Sequence, residues 1–321
     1  MIPNSIIISR TDNLGDVMLT LPLCGYIKSI APETKIYFLG KSYTKPLIEA
    51  SSHIDEFILF EEDKTTLPHA DAILHVFPNK IVAKLSKHQK IPLRIGTSHR
   101  LYHWSYCNKL VGLSRRKSEL HESQLNIQLF QKAFGIKETV PLDQIKTFYG
   151  FEKTSLESIK NYLSTEKKNI ILHPKSKGSA REWPVSSYLS LAQNLGNSYN
   201  ILVTGTEREG ELVKNEVPDF FTGENIQDLT GKISLTELVS LIQNVDALVA
   251  CSTGPIHIAA ASGISTIGIY PPMKPIHPAR WSPQGEKVNV LFKDTDCSDC
   301  RKTQNCHCIQ SIEVNQVLKL L

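Results

Sequence analysis

Three glycine-containing loops, each following a short apolar run, hold most of the chemistry this sequence could perform. The first, SRTDNLGDVMLTLP (residues 9–22), sets Asp16 after Gly15 at what reads as the start of a helix. A carboxylate there can take a proton from a hydroxyl or cap the helix by accepting backbone N–H groups, and the residues leave both open. Pro22 lies too deep for the usual first-turn position and predicts a kink or a late helix start. The second loop, HPKSKGSAREWP (residues 173–184), combines Ser176, Lys177 and Arg181 with a glycine before a helix. Free N–H groups and cations of this kind cradle a diphosphate, and a solvated basic turn has the same composition. The third, CSTGPIHIAAASG (residues 251–263), runs through Ser252, Thr253 and Gly254 into a helix opened by Pro255, with His257 in its first turn. Its glycine turn and helix N-terminus could form a second phosphate cradle. A lone histidine in that position is more often a packed helix residue than a catalyst.

A fourth feature is CSDCRKTQNCHC, which gathers Cys297, Cys300, Cys306 and Cys308 of the seven cysteines. C-x-x-C followed by C-x-C can supply four thiolates to a structural zinc or iron. The five residues between the pairs are fewer than ordinary zinc knuckles use. Reduced thiols are therefore the default reading for a cytoplasmic chain, with a metal as the alternative.

The elements that must position these loops alternate along the chain. SIIIS, KIYFLG, EFILF, DAILHVF and LRIG in the first half, then NIILHP, NILVTGT, DALVAC, STIGIYPP and KVNVLF in the second, read as strands. Amphipathic stretches separate many of them, among them residues 16–30, 79–88, 185–195, 207–217, 235–244 and 255–262. Near-continuous apolar strands with helices between them indicate parallel sheets covered on both faces. Two series of similar size predict two doubly wound α/β domains, residues 1–155 and 156–321, divided within the polar stretch 146–168. A last helix over 313–321 is expected to pack back onto the first domain. Ligands of such sheets bind beyond the carboxyl ends of the strands, so two facing sheets would put a site in the cleft between domains.

Composition narrows the classes. A hydrophobic fraction of 41% and a charged fraction of 21% are ordinary for a globular protein. The apolar runs, such as 5–9 and 264–270, are far below the ~20 residues that span a bilayer. With no signal-like N-terminal segment, the chain reads as cytoplasmic. A net charge of +4 is too small to argue for nucleic acid, and suits an anionic substrate or peripheral contact with the inner membrane. The absence of G-x-G-x-x-G removes the main support for a dehydrogenase.

RTDNLGDVMLTLP, HPKSKGSAREWP, DLTGKISLTELVSLIQNVDALVACSTGPIHIAAA and YPPMKPIHPARWSP are together similar, in order and spacing, to glycosyltransferase family nine, the ADP-heptose:lipopolysaccharide heptosyltransferases. HESQLNIQLFQKAFGI (residues 121–136) resembles the helix that closes that family's first domain. The resemblance implies the GT-B fold and an inverting transfer from a nucleotide-diphosphate sugar, expected to be ADP-heptose, to a lipopolysaccharide core or related glycan. It implies no metal at the reacting centre. By the same match Asp16 corresponds to the catalytic base, Arg181 grips the donor diphosphate with Ser176 and Lys177 in its loop, and Glu209 meets the donor ribose. Ser252, Thr253, Gly254 and His257 fall in the second donor segment. Ser252 departs from the family, which usually has Asp there; serine keeps a hydrogen bond and loses a charge, which leaves the exact sugar open. The alternative is a GT-B enzyme using another sugar nucleotide, as a transferase or an epimerase.

For the acceptor, Arg10, Asn13 and Arg100 are the candidates. Arg100 belongs to a run of cations and aromatics that includes Tyr102, His103, Trp104, Tyr106, Lys109, Arg115, Arg116 and Lys117. Such a run could hold phosphates and sugar faces of a lipid-linked acceptor, or be a solvated loop.

Overall fold

The computed structural model describes residues 1–321 apart from Arg116, Lys117, Lys177, Ser179, Pro275, Asp296, Ser298, Asp299, Arg301, Lys302, Gln304 and Asn305. The chain forms two compact units, Met1–Glu152 and Lys153–Leu321.

The first unit runs β1 (Ser5–Ser9), α1 (Leu14–Met18), α2 (Leu21–Ile30), β2 (Lys35–Gly40), α3 (Lys45–Glu49), β3 (Glu56–Leu59), β4 (Ala72–His75), α4 (Lys80–His88), β5 (Leu93–Thr97), α5 (Leu101–Tyr106), β6 (Lys109–Val111) and α6 (Glu122–Phe134). Its sheet has the order β3-β2-β1-β4-β5-β6 and every pairing is parallel. Ile6, Ile7 and Ile8 are fully buried because helices cover both faces of the central strand.

The amphipathic stretch expected over 16–30 is two helices. α1 ends at Met18, and α2 starts at Leu21 with Pro22 in its first turn, where a missing N–H leaves no helical bond unmade. Deeper in α2, Gly25 approaches the 3-10 turn Leu142–Phe148 so closely that a Cβ would sit 2.1 Å from the Phe148 carbonyl oxygen. The polar stretch read as a boundary therefore begins with residues that pack into the first unit.

The second unit runs β7 (Lys168–His173), α7 (Val185–Leu195), β8 (Tyr199–Val203), α8 (Glu207–Glu216), β9 (Ile226–Asp228), α9 (Leu235–Gln243), β10 (Ala247–Cys251), α10 (Gly254–Ala261), β11 (Ser265–Ile269), α11 (Pro278–Trp281), β12 (Val288–Leu291), α12 (His307–Gln310) and α13 (Val314–Leu318). Its sheet, β12-β11-β10-β7-β8-β9, repeats the order of the first when β7 is matched to β1. The C-terminal helix α13 packs on α7 of its own unit. Trp183, fully buried in that unit's core, donates its indole N–H to the Ile312 carbonyl at 2.8 Å and so fastens the C-terminal segment there. Among the described residues, no helix is long and apolar enough to cross a membrane.

Strand order 3-2-1-4-5-6 reverses direction between its first and fourth strands, and ligands of such sheets bind there. The loop after β1 and the loops after β7 and β10 are thus the three that the sequence singles out.

Candidate functional site

In the first unit the loop after β1 is organised around Arg10, whose side chain is only 4% exposed. Its Nε donates to Asp12 Oδ1 at 2.7 Å, Nη2 donates to Asp16, and Nη1 lies 3.7 Å from Glu122 Oε1. Arg115 also pairs with Glu122 and donates to Asn126 Oδ1 at 2.9 Å. A buried guanidinium needs such partners, since an unpaired charge there would be strongly unfavourable. Buried and shared among these carboxylates, Arg10 orients them. Asn13, not Asp16, is the N-cap residue of α1, and its side chain makes no cap hydrogen bond. Asp16 stands in the first turn with its carboxylate turned to Arg10, so the capping reading of Asp16 fails.

Asp12 is the carboxylate that the sequence did not single out. Burial raises its pKa to about 6; Arg10 opposes the rise and the nearby Asp16 adds to it. Tyr43 donates to the Asp12 carbonyl at 2.6 Å, and Thr20 donates to the Asp16 carbonyl at 2.8 Å, fixing the loop from both ends. Asn13 is exposed next to this pair. Arg100 is also exposed, at the start of α5. No hydrogen bond or ion pair joins Arg100 to the Arg10 network among the described residues.

In the second unit the loop after β7 is braced internally. Ser176 Oγ donates to Glu182 Oε1 at 2.8 Å and accepts from the Ala180 N–H at 3.3 Å. Arg181 Nε donates to the Cys300 carbonyl at 2.9 Å, which ties the loop to the cysteine segment. The Trp183 N–H donates to Cys251 Sγ at 3.1 Å, which joins the loop to the end of β10. Lys177, the remaining candidate here, lies outside the described residues. A cavity of about 690 Å³ opens beside the loop, lined by Lys175, Gly178, Glu182, Trp183, Glu216 and Gln310. Lys175 is matched there by Glu182 at 3.1 Å and Glu216 at 2.5 Å, so it offers a diphosphate no surplus positive charge.

Beyond β10, Ser252 is half-buried and Thr253 is the N-cap residue of α10. The Thr253 hydroxyl is buried and has no hydrogen-bond partner among the described residues. A buried hydroxyl is normally satisfied. One left over at a helix N-terminus, where N–H groups also point outward, suits an anionic ligand. His257, 3% exposed, lies within the buried body of α10. Glu209 has a structural role, because its Oε2 accepts from the Thr206 N–H at 2.6 Å and the Thr206 hydroxyl at 2.9 Å, closing a capping box on α8.

The cysteine sulfurs converge. Those of Cys297, Cys300 and Cys308 lie within 4.8 Å of one another. Cys300 and Cys306, expected as reduced thiols, form a disulfide, their Cα atoms 5.0 Å apart and within the usual range for one.

Residues 69–309 match the model of glycosyltransferase family 9 (heptosyltransferase). The chain is 29% identical over 297 residues to a Haemophilus influenzae protein with a provisional glycosyltransferase name, covering 87% of this chain and 85% of that one. It is 25% identical over 310 residues to the lipopolysaccharide core heptosyltransferase OpsX of the same organism, covering 90% and 85%. Among solved structures, the ADP-heptose lipopolysaccharide heptosyltransferase II of Escherichia coli superposes with a TM-score of 0.75 at 20% identity, covering 98% of this chain and 96% of that one. At that identity the superposition shows a shared fold.

Proposed function

The chain belongs to glycosyltransferase family 9 and has its GT-B fold, and from that premise we propose that it transfers a heptose, or a closely related sugar, from ADP-heptose to a lipopolysaccharide core or related glycan with inversion at the anomeric carbon. The observation that carries this reading is the Asp16 carboxylate, held by buried Arg10 just beyond the carboxyl end of β1. In the proposed step Asp16 takes the proton of the acceptor hydroxyl as the oxygen attacks the anomeric carbon. The bond from that carbon to the diphosphate breaks, and the nucleotide leaves as the diphosphate anion.

The leaving group needs positive charge more than it needs a proton. Arg181, with Ser176 and Lys177 of the same loop, and the α10 N-terminus with Ser252, Thr253 and Gly254 are the groups proposed to supply it. Asn13, exposed beside Asp16, is proposed to contact the acceptor. No metal is required in this scheme. The converging sulfurs of Cys297, Cys300, Cys306 and Cys308 are proposed to form a separate, structural site for zinc or iron. Four thiolates about 2.3 Å from a tetrahedral ion would stand roughly 3.8 Å apart; the sulfurs of Cys297, Cys300 and Cys308 lie within 4.8 Å of one another, and Cys306 could join them only once its disulfide with Cys300 is reduced.

Turnover of a panel of ADP-, UDP- and GDP-sugars with and without a core oligosaccharide tests the reading. Acceptor-dependent release of ADP from ADP-heptose is expected. Ser252, which replaces a charged family residue with a neutral one, favours a second reading in which another sugar is transferred. Preferential use of a different nucleotide sugar would establish that reading, and acceptor-independent conversion of the donor would identify an epimerase.

A further inference from the structure

Arg10 serves more carboxylates than it can neutralise. Its Nε and Nη2 form one edge of the guanidinium, where two parallel N–H bonds ordinarily fit the two oxygens of a single carboxylate. Here the edge is divided: Nε donates to Asp12 Oδ1 at 2.7 Å, and Nη2 donates to Asp16. Two carboxylates thus stand side by side where one would fit. Arg10, Asp12 and Asp16 are all largely buried, so water screens the pair poorly.

Among the described residues, the groups packed around the pair do not relieve it. Glu122 of α6 adds a third carboxylate, 3.7 Å from Arg10 Nη1, and brings Arg115 with it. Three carboxylates against two guanidiniums leave a surplus of one negative charge. From the loop after β2, the Tyr43 hydroxyl donates to the Asp12 carbonyl rather than to its carboxylate. Beyond β4, Phe77 meets Arg10 with its ring, the centre 6.0 Å from the guanidinium carbon. Arg10 is the one cation within ion-pair distance of Asp12 or Asp16 among the described residues.

Two crowded carboxylates of this kind hold one proton between them. Burial raises the Asp12 carboxyl to about 6 against the pull of Arg10, and the Asp16 charge adds to the rise. The proton therefore belongs to Asp12. While it stays there, Arg10 is shared by Asp16 and Glu122 alone. Once it leaves, Asp12 takes its full share of the guanidinium and sets a second negative charge beside Asp16. Both changes make Asp16 a stronger proton acceptor.

We propose that Asp12 is a positioning residue for the transfer step: it holds the one proton of the Asp12–Asp16 pair, and releasing that proton to solvent strengthens Asp16 as the base. This rests on the reading of Asp16 as the base.

NMR of isotope-labelled aspartate carboxyl carbons in the full chain, followed against pH, tests the shared proton without any turnover. One resonance titrating near pH 6 is expected. It should vanish in Asp12→Asn, and in Asp16→Asn it should titrate about one pH unit lower, the size of a strong coupling. No aspartate titrating above about pH 5, an ordinary carboxyl's upper range, would overturn the proposal. So would an Asp12 resonance indifferent to Asp16→Asn.

Turnover against pH tests the consequence. In the wild type kcat should rise about three- to tenfold through a step near pH 6, since one pK unit of base strength is worth at most about tenfold. Asp12→Asn should lose the step and stay at the lower level with the KM for the donor unchanged, and Asp12→Glu should restore it. An Asp12→Asn profile that keeps the step, lowered only in proportion to folded protein, would make Asp12 structural and overturn the proposal. Asp12→Asn as inactive at every pH as Asp16→Asn would make Asp12 the base itself, which overturns it too. A wild type that transfers sugar with no step overturns this proposal alone, whereas one that transfers from no donor overturns the proposed function and this step with it.

Discussion

Replacing Asp16 with asparagine separates chemistry from architecture at this site. Asparagine preserves the shape and can still accept a hydrogen bond from Arg10 through its carbonyl oxygen, but it takes no proton. The structural loss is the difference between a charge-assisted hydrogen bond, ~1.5–3 kcal/mol, and a neutral one, ~0.5–1.5 kcal/mol, or about 1 kcal/mol. Arg10 is not left uncompensated, because Asp12 and Glu122 remain around it. The kinetic loss should be larger. Removing a general base lowers turnover by roughly 10²–10⁴-fold, a barrier increase of about 3–5 kcal/mol. Single-turnover measurements with the donor sugar, calorimetry with the nucleotide, and a thermal melt report the three quantities separately. The expected pattern is a collapse of the chemical step, unchanged nucleotide affinity and a slight fall in melting temperature. Since Asn13 occupies the N-cap position of α1, a capping role cannot stand in for this one. Near-normal turnover in Asp16→Asn, or a turnover loss no larger than the loss of folded protein, would refute the base assignment.

Arg181→Ala should weaken nucleotide binding by about 1.5–3 kcal/mol; calorimetry should show partial recovery in Arg181→Lys, which keeps the charge without the fork that also reaches the Cys300 carbonyl. The pKa of Asp12 is raised from 3.8 to about 6, so between those values the folded chain holds a proton that the unfolded chain has released, and Asp12 makes stability fall as pH rises through that window. Thermal melts should show the stability difference, wild type minus Asp12→Asn, shrinking from pH 4 to pH 6; a constant difference would refute this. Protein purified under reducing conditions without chelator should contain near-stoichiometric zinc or iron by elemental analysis, and chelation should lower its melting temperature. Metal-free protein of full stability would leave the cysteines as thiols or as the Cys300–Cys306 disulfide.

The fold was legible where strands are buried on both faces, because an unbroken apolar run records that environment. Ile6 to Ile8 and the run Ala247–Cys251 could hardly be anything else. The edge strands β6 and β9 were not legible. Each is three residues long and only partly buried, and Lys109–Val111 and Ile226–Asp228 carry too little pattern to distinguish a strand from a turn. The break between α1 and α2 was signalled by Pro22 but not located by it, since the apolar residues on either side continue one buried face across the break.

The site was legible as loops and much less so as contacts. Position after a strand marked the segments holding Asp16, Arg181 and Thr253, because a doubly wound sheet gathers its ligand loops at one edge. The start of α8 carries an open signal, because Thr206 and Glu209 stand in the T-x-x-E spacing of a capping box. Arg10 offered no comparable signal. Its burial depends on Glu122 at the start of α6, and Glu122 in turn depends on Arg115. None of these partners is visible until the sheet is closed. The orientation of Asp16 is therefore a property of the folded unit rather than of the RTDNLGD segment. A change at Glu122, remote in sequence and itself buried, should disturb the same guanidinium that aims the carboxylate, because a shared buried cation cannot lose one partner without redistributing its bonds among the others.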